Sequence, residues 1–142
     1  MKNYMDQKLH HDAAQRALEL AVEYAKERVQ FDKPIAAFQA IKHLCADMVV
    51  RTEVARAAVY AAGAHLDAGD TLPGLDRAVG GAKLLAGEAA VTNGKTATQV
   101  HGGMGYTWEV DVHLYLKRAW LLDTHFGSAD AHADAIGAGL PA

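Results

Sequence analysis

Between residues 37 and 68 the apolar side chains Ile41, Leu44, Cys45, Met48, Ala55, Val59, Ala62 and Leu66 recur close to a heptad spacing. A stripe sustained over several turns lies along one side of an α-helix and cannot stay in water. It calls for partner helices along its length, as in an antiparallel bundle, and not for one isolated surface helix. The composition agrees. Hydrophobic residues make up 51% of the chain but aromatics only 7%, with alanine supplying much of the difference. A sheet sandwich would need more β-branched and aromatic side chains. With 142 residues, the chain is long enough to bury one real core.

Further segments fit the same architecture. Residues 12–28 are rich in helix formers, with Ala17, Leu20, Ala21 and Tyr24 on one stripe. Pro34 pushes its predecessor out of the α region and ends that helix. The stretch 67–74, with Gly69, Pro73 and Gly74, reads as the turn after the second helix. A third helix is predicted over 75–100. It carries Gly80, Gly87 and Gly94 at intervals of seven, on a face that a neighbouring helix or a ligand approaches closely. Residues 112–123 read as a fourth helix and 128–138 as a short fifth, with Ser128 a plausible N-cap. The fold class is therefore all-α: an antiparallel four-helix bundle with a short C-terminal helix. Residues 1–12 show little periodicity and are set apart as a leader of uncertain origin, leaving 13–142 as one helical domain.

Several functions are disfavoured. A formal charge of −3 and a pI near 6.2, with no basic face, argue against nucleic-acid binding. No apolar run reaches the length of a membrane span, and no basic-then-apolar leader opens the chain. The lone Cys45 has no partner for an internal disulfide, so a reducing cytoplasmic setting is the expectation. The eight histidines include no Glu-x-x-His pair for a di-metal bundle, so no metal is expected.

Two segments carry the chemistry. Arg28 to Ile35, running on to Phe38 and Gln39, places a cation and polar amides at a helix exit. Gln99 to Tyr106 ends a long helix in a loop with glycines at 102, 103 and 105. Guanidinium forks hydrogen bonds onto phosphate oxygens, and glycine lets a ligand lie against backbone. Plainer readings stand beside these. Arg28 fits a helix C-terminus by its dipole, Phe31 could plug a gap between helices, and one glycine is enough to cap the third helix.

These segments, with Phe38-Gln-Ala-Ile-Lys-His43 and Ala82-Lys-Leu-Leu-Ala-Gly87, resemble the C-terminal helical domain of the acyl-CoA dehydrogenases, in order and at the family's spacing. Residues 108–118 are most similar to a divergent actinobacterial-type branch, some of whose members pair active with inactive halves. The resemblance covers the last of three domains. It implies an FAD-dependent oxidoreductase acting on acyl-CoA thioesters, in which a carboxylate removes the α proton and the flavin accepts the β hydride. It further implies that Arg28 contacts the FAD pyrophosphate, and that Gln30, Phe31, Phe38 and Gln39 line the same cofactor. Gln99, Val100, Gly102 and Gly103 would reach the adenosine end of a neighbouring subunit's FAD. Ser128 falls at a hydroxyl beside the flavin, or only caps the last helix.

One part of the family pattern fails. The catalytic glutamate position is occupied by Phe126, which has no proton-accepting atom, and the alternative base position near Asn3 is no carboxylate either. Without a placed base, proton abstraction loses on the order of 10²–10⁴ in rate. Asp123, about one helical turn earlier, is the weak substitute. Glu109 and Asp111 are expected to neutralise Lys117 or Arg118 or to cap the fourth helix. The resulting expectation is a domain inactive alone, forming a homodimer or homotetramer or joining a catalytic acyl-CoA dehydrogenase subunit. The alternatives are a non-catalytic scaffold subunit and a stand-alone oligomerising bundle.

Overall fold

A computed structural model describes residues 2–69 and 73–139. Its helices are α1 (Lys2–Glu27), α2 (Gln39–Ala68), α3 (Leu75–His101), α4 (Val112–Asp123) and α5 (Ala129–Ala138). The first four form an up-down-up-down bundle. Parallel α1 and α3 are joined through pairs such as Gln7–Val79 and Tyr24–His101, while Arg51–Asn93 and Lys83–Leu122 mark α2 and α4 as antiparallel to α3. The all-α bundle with a short fifth helix is thus the fold found. Helix α3 is its axis, since it packs against each of the other four.

Alanine makes this arrangement possible. Ala13, Ala14, Ala17, Ala21 and Ala25 on α1 and Ala82, Ala86, Ala89, Ala90 and Ala97 on α3 are all buried. Small side chains let two helix backbones approach closely along a long seam, and dense packing recovers dispersion energy that larger residues would supply elsewhere. At the centre lies Asn93, fully buried. Its amide nitrogen donates to the Ala14 carbonyl (3.3 Å), the Met48 carbonyl (3.2 Å) and the Thr52 hydroxyl (2.9 Å), and its oxygen accepts from Arg51 Nε (3.0 Å). One side chain therefore fixes the register of three helices.

The structure moves several predicted boundaries. The first helix begins at Lys2, not near residue 12, and Asp6, Gln7 and His10 face the core. Those residues continue the stripe of Ala13, Ala14 and Ala17; the period was concealed because its members are polar. The second helix starts at Gln39, the third runs one residue further to His101, and the fifth starts at Ala129 after its Ser128 cap. The turn between α2 and α3 includes residues 70–72, outside the described residues. Between α1 and α2 there is a hairpin, β1 (Val29–Gln30) against β2 (Lys33–Pro34), that periodicity did not foreshadow. Its two loop residues, Phe31 (φ 53°) and Asp32 (φ 63°), both sit in the left-handed region, as a type I′ turn requires. The expected ion pairs of Glu109 and Asp111 do not form among the described residues. Asp111 precedes α4 without a side-chain capping bond, and Lys117 lies over the Trp108 ring instead.

The glycines spaced by seven meet three different neighbours. A Cβ on Gly94 would lie 3.0 Å from the Leu116 Cα, against backbone that cannot yield. At Gly80 the neighbour is Ile136 of α5 (3.3 Å), and at Gly87 it is the Asp123 carboxylate (3.2 Å). Close helix packing thus accounts for the stripe. Gly94→Ala should destabilise the domain by about 1–3 kcal/mol through overpacking. Gly81→Ala, whose Cβ would enter open space, should stabilise it by about 0.5–1 kcal/mol. Thermal melts of the two variants check this, and shifts of the same sign would contradict it.

Candidate functional site

The C-terminal ends of α1 and α3 lie on the same end of the bundle because the two helices run parallel. Between them is an open cleft of about 500 Å³. Arg28 and Gln30 bound it from the hairpin side; Val100, Gly102 and Gly103 bound it from the other. Five residues selected from two distant segments therefore share one cavity. Tyr24 and His101 line it as well, with rings stacked at 4.2 Å and 22°. Sequence reasoning missed this pair as a lining, since nothing in either local pattern indicates which rings meet across helices.

The hairpin fixes Arg28. Its N–H donates to the Tyr24 carbonyl (2.8 Å), completing the last turn of α1, and its carbonyl accepts from the Ile35 N–H (2.8 Å), closing the hairpin. The exposed guanidinium makes no hydrogen bond or ion pair among the described residues, and no carboxylate lines the cleft. An unneutralised, forked cation facing an open cavity favours an anion such as phosphate.

The three loop glycines have separate causes. Gly102 is the C-cap of α3, with φ 60° and its N–H donating to the Gln99 carbonyl. Gly105 is held by packing, because a Cβ there would lie 2.6 Å from the Thr98 carbonyl oxygen. Gly103 has neither reason: its φ is not left-handed and its missing Cβ would point into open space. Nothing within this chain therefore requires glycine at position 103, which leaves its backbone unobstructed on the cleft side.

The remaining predicted residues distribute around this cleft or away from it. Phe31 is 84% exposed at the hairpin tip, against the edge of Phe38 at 6.0 Å, so it does not plug a gap between helices. Lys33 Nζ lies 4.5 Å over the Phe38 ring. Gln39 opens α2 on an exposed face, and Gln99 is exposed one residue before Val100. Ser128 is elsewhere. It caps α5 by accepting from the Ala131 N–H (3.3 Å), towards the opposite end of α3 from the cleft.

Near that opposite end is Phe126, at the position where the sequence resemblance leads one to expect a base. Phe126 is 50% exposed with φ 59°, and its carbonyl accepts from His132 Nε2 (2.9 Å). Asp123 turns inward towards Gly87 and lines a separate cavity of about 560 Å³ with Leu84 and Val91; Phe126 is not part of that lining. The side chain of Asn3 lies outside the described residues. Beneath Asp123 is a buried polar cluster. Lys83 Nζ donates to Asp6 Oδ2 and to the Leu122 carbonyl, both at 2.8 Å, and the His10 ring contacts the Asp6 carbonyl through Nδ1 (3.0 Å). Burial, followed by the Lys83 charge, lowers the His10 pKa, against the opposing pull of Asp6 and Asp123. Cys45 is half-buried, which raises its thiol pKa and keeps it protonated. No group of three His, Cys, Asp or Glu that could hold a metal occurs among the described residues, and none of their helices is long and apolar enough to cross a membrane.

Fold and cleft together define a helical bundle with an open, arginine-bounded groove at one end. The family described as acyl-CoA dehydrogenase, C-terminal domain, matches residues 10–140. The chain is 50% identical over 107 residues to acyl-CoA dehydrogenase FadE34 of Mycobacterium tuberculosis, covering 75% of this chain and 15% of that protein. It superposes on butyryl-CoA dehydrogenase from Megasphaera elsdenii with a TM-score of 0.89 and 31% identity, over 96% of this chain and 35% of that one. A structure of PigA with FAD and proline gives a TM-score of 0.89 and 29% identity, over 96% and 35% of the two chains. This chain belongs to the acyl-CoA dehydrogenase family, and it spans about a third or less of the length of these relatives.

The His10 environment sets a pH dependence. Unfolded, His10 titrates near 6.5; folded, its lowered pKa resists protonation. The unfolded chain therefore binds more protons as pH falls below about 6.5, and the folded state loses stability until its own lower pKa is passed. Urea unfolding should show less stability at pH 5.5 than at 7.5, with a smaller difference in His10→Gln. An unchanged difference in the variant would contradict this origin.

Proposed function

We propose that this chain supplies part of the FAD site and the oligomer surface of an acyl-CoA dehydrogenase-like flavoprotein. The cofactor is held mainly by a neighbouring subunit. Arg28 would bind its pyrophosphate, and Gln30 and the backbone at Gly102 and Gly103 would border the adenosine side, with Phe31, Phe38, Gln39 and Gln99 on the rim. When bound, FAD supplies the hydride acceptor for α,β-dehydrogenation of an acyl-CoA thioester. The chain's own residues orient the cofactor and leave the cleft open to it. The observation that carries this reading is an unpartnered guanidinium facing the unobstructed Gly102–Gly103 backbone across one open cleft. The cleft thus fits an anionic, extended ligand on its own terms.

Phe126 favours a second reading alongside the first: a non-catalytic partner of a catalytic subunit in a heteromeric complex. A phenyl ring cannot accept the α proton, and Asp123 faces a different cavity. On this basis the chain alone should not dehydrogenate acyl-CoA, and turnover by it would defeat the scaffold reading. The setting consistent with both readings is cytoplasmic lipid or fatty-acid metabolism.

ADP, the half of FAD that this cleft would meet, provides the test. Titrated to millimolar concentration into the ¹⁵N-labelled chain, it should shift the Gly102 and Gly103 amides. Arg28→Ala should weaken binding roughly ten- to a hundredfold, as expected for a charge-assisted contact of about 1.5–3 kcal/mol. Gly103→Val should block binding without lowering the melting temperature. Shifts confined to other parts of the chain would contradict the proposal.

Self-association follows from the exposed apolar flank of α2, where Val50 and Tyr60 are 62% and 66% exposed beside Val49 and Val54. Sedimentation at micromolar concentration should give a homodimer or homotetramer, and a monomer would contradict it.

A further inference from the structure

We infer that His10 and Asp123 form a proton-operated latch between α1 and α4. When the His10 ring takes up a proton, its Nε2 changes from opposing the Asp123 carboxylate to donating to it, and Asp123 is drawn inward from the wall of the cavity it lines. This device is independent of the Arg28 cleft, which lies at the C-terminal end of α3.

Four ionisable groups face one another in this part of the core: Asp6 and His10 from α1, Lys83 from α3 and Asp123 from α4. Two of them are already engaged, since Lys83 Nζ donates to Asp6 Oδ2 and to the Leu122 carbonyl, both at 2.8 Å. His10 is fully buried, with Nδ1 3.0 Å from the Asp6 carbonyl oxygen. A carbonyl can only accept, so Nδ1 carries the hydrogen, and Nε2 of the neutral ring is a bare lone pair. That nitrogen is enclosed and has no partner among the described residues. A buried polar atom left in this way costs stability, and its place in the fold calls for a reason.

Gly87 supplies the meeting point. A Cβ there would stand 3.2 Å from Asp123 Oδ1 and 4.0 Å from His10 Nε2, so the bare position lets groups of α1 and α4 approach each other across α3. Asp123 makes no hydrogen bond or ion pair among the described residues and borders the cavity of about 560 Å³ beside Leu84 and Val91. While the ring is neutral, two acceptors oppose each other, and Asp6, Lys83 and Asp123 together carry one uncancelled negative charge. Protonation reverses both conditions: Nε2 becomes a charged donor, the four groups sum to zero, and the orphaned nitrogen gains a charge-assisted partner. Burial and the Lys83 charge resist that proton, which keeps the ring neutral at pH 7 and places the change on the acid side.

NMR of the intact 142-residue chain, labelled with ¹³C and ¹⁵N, tests the latch. At neutral pH the His10 ring nitrogens should report hydrogen on Nδ1 and none on Nε2. On acidification the Asp123 carboxyl carbon and the methyls of Leu84 and Val91 should shift with the same midpoint as the His10 ring. This arm uses unmodified protein and does not depend on how any variant folds. Asp123→Asn keeps the shape and removes the charge, so it should lower the His10 midpoint by about one pH unit. Glu88→Gln, on the lining of the same cavity, should leave that midpoint in place. Hydrogen on Nε2 at neutral pH, a ring that stays neutral until the domain unfolds, or an Asp123 carboxyl silent at the His10 midpoint would each overturn the inference. So would an unchanged midpoint in Asp123→Asn, or an equal change in Glu88→Gln.

Discussion

The close parallel approach of α1 to α3 is the constraint on which the rest of this domain depends. Two helices in an up-down-up-down bundle that share a direction ordinarily stand across the core from each other, separated by side chains. Here alanines on both faces bring them into direct contact over most of their length. Because they are parallel, both C-terminal ends emerge on the same side, and the cleft is the space between those ends. An antiparallel pairing would have sent Arg28 and Gly103 to opposite ends of a helix of about 40 Å.

A seam of alanines is poor at fixing register, since one methyl resembles the next. Buried polar groups supply the specificity. Asn93 binds groups on α1 and α2 at once, and Lys83 binds Asp6 of α1 and the end of α4. Each group would be left with unmet hydrogen bonds if a helix slid by a turn, at a cost of about 1–3 kcal/mol per orphaned group and more for a charge. The polar stripe at Asp6, Gln7 and His10 therefore belongs to the core, although it reads as hydrophilic.

What the sequence made legible follows the same division. The heptad stripe of α2 and the bounds of α4 come directly from apolar spacing, because spacing is what burial on one helix face selects. The hairpin was hidden, since its turn is made by Phe31 and Asp32 in left-handed conformations where glycine or asparagine would have signalled it. The start of α1 was hidden because polar core residues mimic a surface. Arg28, Gln30, Val100, Gly102 and Gly103 were found together, although which of the glycines is explained inside the chain required coordinates. Tyr24 and His101 were missed because stacking across helices leaves no trace in either local pattern. At the far end of α3, the left-handed turn at Phe126 is pinned by His132, a contact that no local sequence pattern indicates.

Paramagnetic relaxation gives the most direct test of the convergence of the two helix ends. A nitroxide attached to Gln30→Cys, in a Cys45→Ala background, should broaden the Gly102 and Gly103 amides strongly and leave those of α5 sharp. Sharp Gly102 and Gly103 signals beside that label would contradict the account, because the cation and the bare backbone would then not face a common cavity.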